Sequence, residues 1–221
     1  MCFSAPASFI AAGVAGAAGA ASLARVAEPR EYPLAAMPLF FAVQQTLEGL
    51  LWLNLPASPS GPVSTSLTQS FLLFALVFWP AFVPMAVAGA EPDAIRRKWI
   101  GACGVAGLAA AAYFLVSLSE TPRNAVIEGG HIVYSGDPHL PPAMLVLYPM
   151  AACLAPMLSS LWTLRLLGVF VTLGAIAAYL AYWQAFSSVW CFFAAAASGV
   201  IVLQFEQQKR RRAIAIRQAS P

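Results

Sequence analysis

The sequence predicts an all-α polytopic membrane protein, a bundle of seven transmembrane helices over residues 1–206 followed by a basic cytoplasmic tail at 207–221. Three observations predict it. Only 10% of the 221 residues are charged and 60% are hydrophobic, whereas about a quarter of a soluble domain is charged. The apolar residues gather into stretches of about 20, the length that crosses a bilayer as a helix. Lys and Arg fall almost entirely in alternate gaps between those stretches, the bias that orients helices with their cationic loops in the cytoplasm.

The stretches run, in order, from Ala7 to Val26, Pro33 to Leu55, Ser66 to Gly89, Trp99 to Leu118, Pro142 to Leu161, Leu164 to Trp183 and Ser188 to Phe205. None shows the ten-residue alternation of a membrane β-strand. The first gap holds Arg25 and Arg30, the third Arg96, Arg97 and Lys98, the fifth Arg165, and the tail Lys209 to Arg212 with Arg217. Only Arg123, in the fourth gap, falls on the other side. An odd number of spans with the N-terminus outside accounts for this, with the tail expected in the cytoplasm. A cleaved signal peptide is the rival reading of the first stretch, but Met1 to Ser8 lack the cations of a signal n-region.

The second gap, Pro56 to Thr65, is a Pro/Ser/Gly turn, and the sixth is a few residues around Ser187. The fourth, Ser119 to Pro141, is long and holds both histidines, His131 and His139. Within it Ala125-Val126-Ile127 and Ile132-Val133-Tyr134 flank Glu128-Gly129-Gly130-His131, the pattern of a hairpin. A small extracytoplasmic hairpin over the helix ends is expected, and a plain solvated connector is the alternative.

Among the nine acidic residues, only Glu48 sits deep within a span, the second. Such a group costs about 2.5–3.5 kcal/mol on insertion scales and points to function. Gln44, Gln45, Glu48 and Trp52 recur at helical spacing as one polar stripe facing the bundle interior. A protonated Glu48 bonded to the glutamines as interhelical glue is the alternative. In the seventh span Ser187, Cys191 and Ser198 share a face. The prolines at Trp79-Pro80, Pro84, Pro149 and Pro156 are expected to kink their helices. Tyr179, Tyr182 and Trp183 read as an interfacial aromatic belt. Cys103 and Cys153 read as packing residues, while Cys2 and Cys191 lie toward the outside, where they could pair as a disulfide or serve as ligands.

The opening Met1-Cys2-Phe3-Ser4-Ala5-Pro6-Ala7-Ser8-Phe9, the block Pro38 to Gly49 with Gln44-Gln45-Thr46-Leu47-Glu48-Gly49, Trp79-Pro80, His131 to Tyr134, Pro138-His139 and Trp190 to Ala194 together resemble a family of bacterial integral membrane proteins that begin with this Met-Cys-Phe-Ser-Ala signature. The resemblance implies a bacterial multi-pass membrane protein and carries no assigned activity.

Several functions are excluded or demoted by inventory. Lys98 and Lys209, the lysines of the chain, both fall in cytoplasmic segments, which removes a retinal Schiff base. Two histidines are too few for a three-histidine zinc hydrolase of the ceramidase kind, neither lies in a span to ligate haem, and no C-x-x-C-H or G-x-S-x-G motif is present. The tail cations read as an anchor to anionic lipid rather than a nucleic-acid surface. Three readings stay open. One is an outer-side site in which Cys2, Glu48, His131, His139 and Cys191 hold copper or zinc. Another is a small-ligand binder or transporter with candidate residues Gln44, Gln45, Glu48, Trp52 and Tyr134, in which Glu48 takes up a proton or pairs with a cationic substrate and the glutamines orient it. The last is a structural or sensory bundle without chemistry.

Overall fold

A computed structural model describes residues 4–135, 140–182 and 185–219 of the chain. Helix α1, Ala5–Leu23, starts on Ser4, whose hydroxyl accepts from the Ala7 N–H, with Pro6 in the first turn. Both are favoured at a helix start. Its buried stripe is almost entirely small, Ser8, Ala12, Ala15, Gly19 and Ser22, so α1 lies close against α2, Tyr32–Asn54. A Cβ on Gly19 would come within 2.9 Å of the Leu39 backbone nitrogen, the close approach that small residues permit between membrane helices.

Helix α3, Pro62–Leu72, passes through a widened π turn at Leu73–Phe78 into α4, Trp79–Ala90. Long α5, Ala94–Glu120, is capped by the Asp93 carboxylate, which accepts from the Ile95 and Arg96 N–H groups. Strands β1, Ala125–Glu128, and β2, His131–Tyr134, pair antiparallel with Glu128 opposite His131. Gly129 and Gly130 both take positive φ, 56° and 78°, the left-handed conformations that a two-residue hairpin turn requires. Ile132 is fully buried in a cluster with Leu51, Leu55 and Phe71, so the hairpin is a packed cover over the ends of α2 and α3. The chain continues through α6, Met144–Pro149, a second π turn at Met150–Leu154, and α7, Ala155–Met157, then α8, Trp162–Ala181, α9, Phe186–Ala197, and α10, Gly199–Ala219.

Six helices are long and apolar enough to cross a membrane: Ala5–Leu23, Pro29–Asn54, Pro62–Ala90, Ala94–Glu120, Trp162–Ala181 and Phe186–Arg212. The expected fifth span, Pro142 to Leu161, instead forms the shorter apolar helix Met144–Met157. Pro141 and Pro142 delay its start. Its end is set where Ser159 and Ser160 leave the helix to bond Glu91. It nonetheless runs from the hairpin end of the bundle to the opposite end.

That opposite end collects the cations. Arg25 pairs with Glu206 at 3.0 Å, Arg212 with Glu31 at 3.3 Å, and Arg96 donates to the Leu158 carbonyl at 3.0 Å. The loops near 25, 93 and 160 and the start of the tail therefore share one end, and the hairpin lies at the other. Arg123 is buried at the hairpin end, donating to the Ser117 hydroxyl at 2.6 Å.

Both π turns precede a proline, and the chemistry is the same in each. At the first, the Trp79 N–H reaches back five residues to the Phe74 carbonyl. The next such bond would need an N–H on Pro80, which has none. The Ala75 carbonyl is left over, and the Tyr148 hydroxyl donates to it. At the second, the Ala155 N–H bonds the Met150 carbonyl just before Pro156. At Pro80 and Pro156 the expected kinks are thus widened turns, one of them closed by a side chain from another helix, while Pro84 and Pro149 lie inside their helices.

Candidate functional site

The polar stripe of α2 faces inward as a block. Gln44, Gln45 and Glu48 are each 0% exposed, about 9–15 Å along the axis from the Asn54 end at 1.5 Å per residue. Trp79 Nε1 donates to Gln44 Oε1 at 2.6 Å, and Gln44 Nε2 donates to the Cys191 sulfur at 3.2 Å. The Trp79 donor fixes which way the Gln44 amide points. Ser188, three residues before Cys191 on the same face of α9, donates its hydroxyl to Glu48 Oε1. Two residues from α9 and one from α4 therefore grip two adjacent turns of α2.

Gln45 is different. Neither its Nε2 nor its Oε1 has a hydrogen-bond partner among the described residues, although the side chain is wholly buried. The indole N–H of Trp52, two turns further along the same face, is likewise buried and unpartnered. An orphaned buried donor or acceptor costs about 1–3 kcal/mol, so the half of α2 toward Asn54 keeps uncompensated hydrogen-bonding capacity inside an apolar bundle.

The hairpin residues stand just beyond this block. Tyr134 stacks on Phe71 with ring centroids 4.9 Å apart and planes 4° from parallel, and it packs in the same cluster as Trp52. His131 meets the edge of Tyr182, centroids 4.9 Å apart. Burial lowers the His131 pKa and favours its neutral form.

The expected outer-side residues are only partly brought together. Gln44, Gln45, Glu48 and Cys191 form one block, with Trp52 and Tyr134 beside it. His131 lies in the hairpin against Tyr182. Cys2 and His139 fall outside the described residues. Among the described residues no group of three His, Cys, Asp or Glu side chains is placed to hold a metal ion, so the copper or zinc set does not assemble from them. Cys191, open between a disulfide with Cys2 and a ligand role, is a free buried thiol here and accepts from Gln44. Ser188, not Ser187, is the serine that turns inward, which a count of three residues back from Cys191 could have found.

The sequence reading also missed a buried acid near the basic end. Glu91, placed in a loop by its neighbours, is 0% exposed. It accepts from Ser159 Oγ at 2.6 Å, the Ser160 N–H at 2.8 Å, Ser160 Oγ at 2.5 Å and the Asp93 N–H at 3.0 Å. Burial opposes its ionisation, but these hydrogen bonds outweigh it and hold the carboxyl below its ordinary range. With Arg97 gripping the Glu91 carbonyl at 2.7 Å, this is a structural clasp at the basic end.

Residues 1–219 match the model of a family of unknown function. Comparison with curated proteins and with solved structures finds no match.

Proposed function

The chain belongs to the DUF6629 family, whose function is unknown, and on that premise we propose that it is a bacterial inner-membrane protein whose outer half binds a small, uncharged polar ligand at Gln45, Glu48 and Trp52. The observation that carries the reading is Gln45, a buried amide with a donor and an acceptor both unmet. A group that costs stability and meets no protein partner is what a binding site retains for its ligand. Glu48, held by Ser188, stands one turn away to orient the ligand or to carry a proton with it, as in a proton-coupled carrier. Copper or zinc would need Cys2 and His139, which lie outside the described residues, to complete a ligand set.

The topology follows from the same end-to-end asymmetry. Arg25, Arg30, Arg96, Arg97, Lys98, Arg165 and the tail cations gather toward one end, and the bias of cationic loops to the cytoplasm supports reading that end as cytoplasmic, beside anionic lipid headgroups. The short helix Met144–Met157 supplies the seventh crossing, and the N-terminus and hairpin lie outside. In a Cys2→Ser background, accessibility of cysteines introduced at Ser58 and at Arg165 to a membrane-impermeant thiol reagent tests this, with labelling from outside expected only at Ser58→Cys.

The binding reading is tested by thermal unfolding of wild type and Gln45→Leu in lipid nanodiscs against a panel of small neutral alcohols and amides. A ligand at a hundred times its Kd stabilises by about 2.7 kcal/mol. At least one compound is expected to raise the wild-type midpoint and leave Gln45→Leu unmoved. A panel that moves both proteins equally refutes the site.

A further inference from the structure

At the basic end, the start of α5 and the turn after α7 enclose a groove of about 330 Å³ lined by Asp93, Ile95, Arg96, Trp99 and Leu158. Arg96 ties its two sides together, donating from Nη1 to the Leu158 carbonyl at 3.0 Å. A guanidinium has five N–H donors, and that carbonyl is the only acceptor its side chain meets among the described residues, so most of them remain for an occupant. Asp93 caps the helix through Oδ1, which accepts from the Ile95 and Arg96 N–H groups at 2.9 Å. Its Oδ2 takes neither bond and stays an acceptor. The Arg96 N–H bond, that of Ile95 and the charges of Arg96 and Arg97 hold the carboxyl below its ordinary range, so it is ionised at neutral pH. The groove thus carries one full negative and one full positive charge. They stand three positions apart on one helix face, a spacing of roughly 5–6 Å between Cβ atoms.

The depth of the groove narrows its occupant. Helix α5 has 27 residues, about 40 Å at 1.5 Å per residue, enough to cross the hydrocarbon and both headgroup layers. Its apolar stretch from Trp99 to Leu118 matches the roughly 30 Å of hydrocarbon alone. Trp99 therefore sits at the edge of that layer, where indoles gather, and Asp93 and Arg96 stand one to two turns further out, among headgroups. Ile95 and Trp99 are exposed, as are Ala102 and Val105 below them. An apolar track thus descends the side of α5 from the groove.

We propose that the groove binds the headgroup of phosphatidylethanolamine, its phosphate on Arg96 and the Trp99 indole N–H, its ammonium on Asp93, and its acyl chains along Ala102 and Val105. The paired charges decide between lipids. An anionic head carries a net negative charge that Asp93 opposes, whereas ethanolamine sets an ammonium two carbons from the phosphate and meets both charged groups of the groove. A choline head has the same charges but no N–H to give Asp93 Oδ2. The proposal rests on α5 crossing a bilayer, and is independent of the ligand at Gln45 and of which leaflet the basic end faces.

The full chain, purified in detergent and stripped of lipid, is titrated with phosphatidylethanolamine, phosphatidylcholine and phosphatidylglycerol of identical chains, and bound lipid is counted by native mass spectrometry. Wild type is expected to take its first phosphatidylethanolamine at least about fivefold more tightly than either other lipid, the upper end for one exposed ion pair. Asp93→Asn keeps a helix cap of similar quality while removing the charge, and is expected to abolish that preference. Arg96→Gln, which can still reach the Leu158 carbonyl, is expected to weaken phosphatidylethanolamine by a similar factor. Arg165→Gln removes a cation of the same end outside the groove and is expected to change nothing. Equal affinity of wild type for phosphatidylglycerol or phosphatidylcholine overturns the proposal, as does a preference that survives Asp93→Asn. A loss in Arg165→Gln as large as in Arg96→Gln would show a diffuse attraction of cations for lipid and overturn the site.

Discussion

Replacing Gln45 with Met isolates the energetic oddity of the site. The two side chains are similar in length, and Met carries no strong donor or acceptor, so the substitution keeps the packing while removing an amide with two unmet atoms. Leaving a buried polar group unsatisfied costs about 1–3 kcal/mol, and a volume-conserving apolar swap costs less than about 1.5 kcal/mol. In ligand-free protein Gln45→Met is therefore expected to stabilise by up to about 3 kcal/mol. For a chain of this size that amounts to roughly 2–4 °C in Tm per kcal/mol. Thermal unfolding in nanodiscs, followed by circular dichroism, measures it. Gln44→Met is the control, since that amide is paired with Trp79 and Cys191, and its loss is expected to destabilise by about 1–3 kcal/mol. Destabilisation of similar size in both variants would show that Gln45 is as well paired as Gln44 and would refute the reasoning behind the site.

Tyr148→Phe strips the donor from the Ala75 carbonyl beside Pro80 and is expected to destabilise by about 1–3 kcal/mol, measured by the same unfolding assay. Gly107→Ala places a Cβ 1.9 Å from the Pro80 carbonyl oxygen, so the crossing of α4 and α5 must open. The expected loss is at least about 1–3 kcal/mol, and a neutral result would refute the close approach. The Glu91 carboxyl titrates below its ordinary value in the folded chain, so the unfolded chain binds more protons between the two values. Its contribution is complete above the ordinary glutamate pKa of about 4.3 and declines as pH falls toward the folded value. Glu91→Gln is expected to lower stability at neutral pH and to make the acid limb of a stability-against-pH curve shallower.

The stripe Gln44, Gln45 and Glu48 was legible because α-helical periodicity places these residues on one arc, and polar groups in an apolar helix turn inward. The hairpin was legible because Gly129-Gly130 sits between two short β-branched runs. The expected fifth span, Pro142 to Leu161, is the shorter helix Met144–Met157 because hydropathy does not register where a helix stops. Its end is set by Glu91 reaching Ser159 and Ser160 across 68 and 69 positions of the chain. Ser188 was missed for a similar reason, as its role depends on Glu48, 140 residues away. The prolines foretold disrupted helices, but which partner would close the gap at Ala75 was decided by Tyr148 on another helix.

Composition and charge spacing alone were enough to establish an all-α bundle of membrane-crossing length, its basic end and its inward polar stripe. These properties follow from local periodicity and from the solvent, which act on each segment separately. Which polar atoms are paired and which are left open was settled only by packing. Gln44 and Gln45 are identical neighbours in the chain, and only the arrival of Trp79 and Cys191 satisfies one and leaves the other unmet. The groove at the start of α5 has the same origin, because a gap between that helix and the turn at Leu158 is a property of how the two segments meet and belongs to neither of them.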